Sequence, residues 1–153
     1  MIALEAQLAF AAPLVAAIGR PAPNFVVDGM DGLPVRARRF RGRPLFINVF
    51  ASWCGPCRVE LPGIVRSYAR YRTRIGYLGV DEQEAPETVA RFARALGLRY
   101  PLGIDQGQLE ASYRAHQIPT SIFVDRHGIV RGFYKGPIPA DVLERNLALI
   151  ASI

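Results

Sequence analysis

Cys54 and Cys57, the only two cysteines in the chain, stand two residues apart in Trp53-Cys54-Gly55-Pro56-Cys57. By type and spacing they are the residues best suited to chemistry. A disulfide stabilises mainly by closing a long loop in the unfolded chain, so one that closes so short a ring adds little. The pair suits reversible opening and closing instead. A helix beginning at Cys54 would surround its sulfur with unpaired N–H groups and the positive end of the helix dipole. These favour the thiolate, which is the nucleophilic form. Gly55 leaves access over that sulfur, and Pro56 fits the first turn without wasting an N–H donor. The expected cycle starts with Cys54 attacking a substrate disulfide to give a mixed disulfide, after which Cys57 displaces the reduced product.

A metal site is the competing chemistry. Structural zinc asks for four ligands, and the two histidines, His116 and His127, fall at no zinc-like spacing from the thiols. Two thiolates could hold Cu(I), yet Met1 and Met30 are the only methionines, so no thioether-rich surround accompanies them. A Cu(I)-carrying module is the alternative from a different functional class, and no metal is assigned.

Other residues gain meaning from this pair. Glu60 follows Cys57 by three residues and shares its helix face. If buried, it would hold its proton longer and could exchange one with Cys57; if exposed, it simply complements the helix dipole. Ile118-Pro119-Thr120 leads into an apolar run. A proline there could be cis, leaving the Ile118 backbone to pair with an extended peptide, or an ordinary trans proline at a strand start. Trp53 either leans over the thiols or packs beneath them. Asn48, the one polar residue in Pro44–Phe50, is expected to satisfy local backbone groups, with an influence on Cys57 as the alternative. His116 is expected at a helix end, with a place lining the site near Pro119 as the alternative, and His127 in a turn.

The elements that must position these groups can be read from periodicity and punctuation. Two prolines hold Arg20–Pro23 extended. Asn24–Asp28 and Leu33–Arg38 read as strands around Gly29-Met30-Asp31-Gly32. Pro44–Phe50 is nearly continuous in apolar residues, as befits a central strand buried on both faces. A helix should run from about Cys54 to Arg72, its apolar face carrying Leu61, Val65 and Tyr68, with Pro62 in its second turn. Ile75–Val80 reads as a strand, and Pro86 to about Gly97 as a helix burying Val89, Phe92, Ala93 and Leu96. A short strand at Tyr100–Ile104 and a helix at Gln108–Ala115 should follow. Ser121–Asp125 and Ile129–Tyr134 form a hairpin over Arg126-His127-Gly128, and a helix from about Pro139 to Ile150 closes the chain. This alternation implies an α/β fold, a mixed central sheet with parallel central strands and helices on both faces. Reactive groups in such sheets gather beyond the carboxyl ends of the strands, where Cys54 falls.

Composition agrees with a single domain. The 153 residues are half apolar and about a fifth charged, which excludes a disordered or fibrous chain. The net charge is +6, and Lys135 is the only lysine. Arg36, Arg38, Arg39, Arg41 and Arg43 crowd together, and Arg66, Arg70 and Arg74 form a helical stripe; both sets are expected to solvate a surface. No nucleic-acid motif accompanies them, so no nucleic-acid partner is expected. Leu8–Gly19 is an apolar run of twelve residues, too short to span a bilayer. Ala9 and Ala11 could suit signal cleavage, although no basic residue precedes the run. Residues 1–19 are therefore set apart as an apolar segment, a possible signal or anchor remnant, from a domain at residues 20–153.

With these motifs assembled, the chain from about Gly19 to Ile150 resembles the thioredoxin superfamily, and within it the TlpA/ResA/DsbE-like extracytoplasmic thiol–disulfide oxidoreductases. The likeness rests on Pro21-Ala22-Pro23-Asn24-Phe25, Arg41-Gly42-Arg43-Pro44, Trp53 to Cys57 extended by Arg58, Glu60 and Pro62, and Ile118-Pro119-Thr120 followed by Phe123-Val124-Asp125 and Gly128. It implies a thioredoxin fold with an N-terminal β-hairpin and a helix–strand insertion at Glu84–Ile104. It further implies a cis Pro119, an attacking Cys54, a resolving Cys57 and a proton-handling Glu60. Trp53, Gly55, Pro56, Ile118, Pro119 and Thr120 would form the substrate-binding surface. No cofactor is implied beyond the redox-active Cys54–Cys57 disulfide. The partners implied are protein disulfides and a membrane electron donor, and the protein is expected to be an extracytoplasmic monomer. Two departures bear on specificity. Thr120 follows the proline where the cytochrome c maturation branch often carries glutamate, which leaves a general reductase as an equal alternative to a role in that branch. Ala51 stands where the peroxidase branch of the fold, a further alternative, carries threonine.

Overall fold

The computed structural model describes residues 15–153. The apolar run at Pro44–Phe50 becomes strand β3, Leu45–Phe50, with all six residues buried. Around it lies a seven-stranded sheet in the order β2-β1-β5-β4-β3-β6-β7. The other strands are β1 (Val26–Gly29), β2 (Pro34–Arg36), β4 (Gly76–Glu82), β5 (Leu102–Asp105), β6 (Thr120–Val124) and β7 (Val130–Lys135). β3, β4 and β5 run parallel, whereas β6 lies antiparallel to β3 and β1 antiparallel to β5. The sheet is thus mixed with parallel central strands, and the fold is α/β.

Helix α1 (Gly55–Tyr71), α2 (Pro86–Leu96) and α4 (Ala140–Ser152) cover one face. Leu61, Ile64, Val89, Phe92, Leu143 and Leu147 bury there against Phe46 and Phe50. The other face is covered by α3 (Gln108–Ser112) and the lead-in to β1, which set Leu109, Tyr113, Ala16 and Phe25 against Ile47 and Val49. Burial of this apolar area, roughly 25 cal/mol for each Å² removed from water, drives both layers together. Ala16 N–H donates to Ser112 O and Gly19 N–H to Val130 O, so the lead-in is tied to both α3 and β7. Most of Leu8–Gly19, with Ala9 and Ala11, lies outside the described residues. Among those described, no helix is long and apolar enough to cross a membrane.

Element boundaries shift by up to three residues, with local causes. α3 stops at Ser112 rather than Ala115 because the chain turns through a left-handed backbone at Arg114, φ 54°. β5 starts at Leu102 because Pro101 has no N–H to give a ladder; its carbonyl instead accepts from Gly79 N–H. α1 buries Leu61, Ile64, Ser67 and Tyr71, leaving Val65 and Tyr68 at the margin of the core. α2 ends as expected at Gly97, whose φ of 70° is open to glycine without steric cost. The crowded arginines, Arg36, Arg38, Arg39, Arg41 and Arg43, are all exposed. On the α1 stripe, Arg70 pairs with Glu144 at 2.5 Å and the Arg74 guanidinium sits 4.9 Å from the Tyr71 ring centre.

Candidate active site

β3 delivers the chain to the carboxyl edge of the sheet, where a tight turn closes with Cys54 N–H donating to Ala51 O at 3.2 Å. Cys54 is the N-cap of α1, and its Sγ accepts the Cys57 N–H at 3.2 Å. A cysteine sulfur thereby takes the place usually filled by a serine or aspartate oxygen, in direct contact with the unpaired donors of the first turn. Cys54 and Cys57 form a disulfide. A methyl group added at Gly55 would meet nothing within 4 Å, and Gly55 and Pro56 are both exposed, so the approach over the bridge is open. Cys57 is fully buried and Cys54 is 4% exposed. An incoming reagent therefore reaches Cys54 first. Trp53, next to Cys54 in the chain, is 68% exposed and so does not pack beneath the thiols.

Below the bridge, Glu60 lies on the buried face of α1, only 5% exposed. It is not the solvated first-turn acid that its spacing alone would allow. Its Oε1 accepts from Asn48 Nδ2 at 2.7 Å and its Oε2 from Ile138 N–H at 2.8 Å. Burial pushes its pKa up from 4.5 to about 7, against the lowering pull of these two donors. The group changes protonation near neutral pH, as proton transfer there requires. Asn48 does not satisfy local backbone groups, as expected from its place in the strand. Its side chain bridges to Glu60 and, at 3.4 Å, to Ser121 Oγ of the neighbouring β6. A side chain in a doubly buried strand points away from its own backbone ladder, so its partners come from other elements.

The Ile118–Pro119 peptide bond is cis. Pairing of Val49 with Thr120 sets Pro119 at the same sheet edge as the thiols. Pro119 O accepts from Gly136 N–H and Thr120 Oγ1 donates to Gln117 O. Among the described residues, neither the N–H nor the C=O of Ile118 has a partner within the chain. His127 occupies the β6–β7 turn at the opposite end of β6, and the exposed His116 pairs with Glu110 at 2.7 Å. Among the described residues no group of three or more His, Cys, Asp or Glu side chains is arranged to hold a metal ion.

Two features went unread in the sequence. Glu84 binds the turn that carries Cys54, and Asp81 lies buried beside it. The acid-rich run Asp81-Glu82-Gln83-Glu84 at the carboxyl end of a parallel strand was the signal that could have found them.

A family model described as AhpC/TSA matches residues 18–133. The chain belongs to the AhpC/TSA family. Its relatives include the thiol-disulfide oxidoreductase ResA of Bacillus thuringiensis subsp. konkukian, 32% identical over 135 residues that cover 87% of this chain and 78% of that one. ResA of Geobacillus kaustophilus is also 32% identical, covering 88% and 78%. Among solved structures, a thiol:disulfide interchange protein of the thioredoxin family from Chlorobium tepidum superposes with TM-score 0.78 at 26% identity, covering 90% of this chain and all of that one. StoA from Bacillus subtilis superposes with TM-score 0.68 at 25% identity, covering 83% and 97%. The fold is that of thioredoxin, and the chain is a thiol–disulfide oxidoreductase.

Proposed function

We propose that the chain reduces protein disulfides outside the cytoplasm, with Cys54 as attacking thiol, Cys57 as resolving thiol and Glu60 as the group that takes the Cys57 proton. The observation that carries this reading is the asymmetry of the pair: one sulfur at the helix start under an open approach, the other buried on the face it shares with Glu60. In the reduced protein the Cys54 thiolate attacks one sulfur of the substrate disulfide, and the other leaves as a thiolate that takes a proton from water. Cys57 then passes its proton to Glu60 and attacks Cys54 Sγ. The mixed disulfide breaks, the second substrate thiolate leaves, and Glu60 returns the proton to it. Two electrons pass to the substrate, and the Cys54–Cys57 disulfide remains to be reduced by a membrane electron donor. Trp53, Gly55 and Pro56 on one side and Ile118, Pro119 and Thr120 on the other form the docking surface, where the free Ile118 backbone groups pair with an extended segment of substrate. The protein acts as a monomer with no cofactor beyond its own disulfide, in a periplasmic or membrane-anchored setting that includes cytochrome c maturation among its uses.

The test measures insulin-disulfide reduction, Cu(I) stoichiometry and the potential of the thiol couple on one preparation. A reductant shows turnover and a potential near thioredoxin's roughly −270 mV; a value near roughly −120 mV marks an oxidant and overturns the assigned direction. Tight one-to-one copper binding without turnover overturns the redox reading itself.

A further inference from the structure

Ser52, two residues before Cys54, has each of its polar groups engaged. Its N–H donates to Glu84 Oε1 and its hydroxyl to Glu84 Oε2, both at 2.6 Å. Its carbonyl accepts from Arg58 Nε at 3.1 Å, and the Arg58 guanidinium sits 4.8 Å from the centre of the Phe92 ring of α2. Glu84 is itself held from behind, its own N–H donating to Asp81 Oδ2 at 2.8 Å. Asp81 pairs in register with Phe50, the last residue of β3, and is fully buried. Its Oδ1 has no hydrogen-bond partner among the described residues. A two-point carboxylate grip on one residue is far more than solvent-side decoration requires, since charge-assisted hydrogen bonds are roughly twice as strong as neutral ones.

We propose that Glu84 is a positioning residue for the redox centre: its carboxylate grips Ser52 and so fixes the turn that sets Cys54 Sγ over the first N–H groups of α1, while Asp81 anchors Glu84 from beneath. This rests on the reading of Cys54 as the attacking thiol and names what holds that thiol in place. Protonation is divided between the two acids. Burial, and then contact with Glu84, push Asp81 up to about 8, so it carries a proton at neutral pH. Burial also acts upward on Glu84 but is outweighed by the neighbouring Asp81 carboxyl and the hydrogen bonds from Ser52, which hold it below the usual carboxylate range. The charged groups facing Asp81 are Glu82 and Glu84 from its own segment, while Arg58 of α1 binds the Ser52 carbonyl. Glu82 in turn feels Glu110 and Asp105, opposed by His116. Above about pH 8 Asp81 ionises, two adjacent carboxylates repel, and the grip on Ser52 loosens.

The experiment follows Cys54 alkylation against pH in the reduced full-length protein, for Glu84→Ala, Glu84→Gln and Asp81→Asn, together with the potential of the couple. Positioning predicts that Glu84→Ala slows alkylation at neutral pH on the order of tenfold. Glu84→Gln, which keeps an acceptor for the Ser52 N–H, retains most of the rate. Asp81→Asn matches the parent at neutral pH and abolishes the fall in rate that sets in above about pH 8. Equal acceleration in both Glu84 variants would make the effect a simple charge on the thiolate and overturn the proposal. An unchanged profile and potential in Glu84→Ala would reduce the contact to a fold-stabilising one, again overturning it. Insulin reduction by the parent protein, run alongside, tests the underlying redox reading separately from these comparisons.

Discussion

Replacing Glu60 with glutamine removes one ionisation from the buried face of α1 while keeping size and hydrogen-bonding capacity. In the native protein Glu60 holds its proton up to about pH 7, whereas the ordinary value is 4.5. The folded state thus binds a proton that the unfolded chain has already lost. The stabilisation this gives is complete below about pH 4.5, declines as pH rises and is gone above about pH 7. A gap of about two and a half pH units, at 1.36 kcal/mol each, comes to about 3 kcal/mol. The glutamine variant has no such proton to lose. Its stability relative to the parent should therefore climb by about 3 kcal/mol between about pH 4.5 and pH 7 and then level off. Urea unfolding of both proteins, kept oxidised so that the thiols do not titrate, measures this directly. Other titrating groups, Asp81 included, are common to both proteins and cancel in the difference. A difference that stays flat to within about 0.5 kcal/mol, near the precision of such extrapolations, would show that the Asn48 and Ile138 donors outweigh burial. Glu60 would then titrate at its ordinary value, too low to exchange a thiol proton near neutral pH, and its part in proton exchange would fail with it.

Three further outcomes follow from the same contacts. Asn48→Leu takes away one donor that favours the carboxylate, so the pH midpoint of the Glu60 linkage should rise above about 7, read as a displaced curve in the same series. Asp125 accepts from His127 N–H, Ile129 N–H and Arg131 Nε, which together hold its carboxyl below the usual range despite its burial. Its stabilisation is present at neutral pH and lost as pH falls through that lowered value, so Asp125→Asn should cost about 2 kcal/mol at neutral pH and progressively less in acid. Gly79→Ala would drive a methyl group to 2.5 Å from Leu102 Cδ2 and 3.0 Å from Tyr100 Cε2. Overpacking of this kind costs about 1–3 kcal/mol, visible as a lower urea midpoint with alkylation of Cys54 in the reduced protein unchanged.

Much of the fold was legible because its signals are local. The continuous apolar stretch ending at Phe50, the proline at Pro86 and the glycine at Gly97 each act over a few residues, and each marks a boundary that the structure shows within one or two positions. The Arg114 turn is the instructive exception: a non-glycine residue in a left-handed conformation leaves no mark in composition, so α3 is three residues shorter than the pattern predicts. The same division runs through the site. That Cys54 and Cys57 share one turn of helix follows from their spacing alone. Whether Glu60 faces water or the core does not, since three residues along a helix specify a face without saying what covers it.

What the chain by itself determined was the chemistry available: two sulfurs held one turn apart, at a helix start, beyond the carboxyl end of a central strand. What only the tertiary structure decided was the environment that tunes them. Asn48 meets Glu60 across twelve residues, Ile138 meets it across seventy-eight, and Glu84 reaches Ser52 across thirty-two. Periodicity reports which side of an element is apolar. It does not report which distant backbone N–H will be driven against a buried carboxyl, and that encounter sets whether the proton stays or leaves.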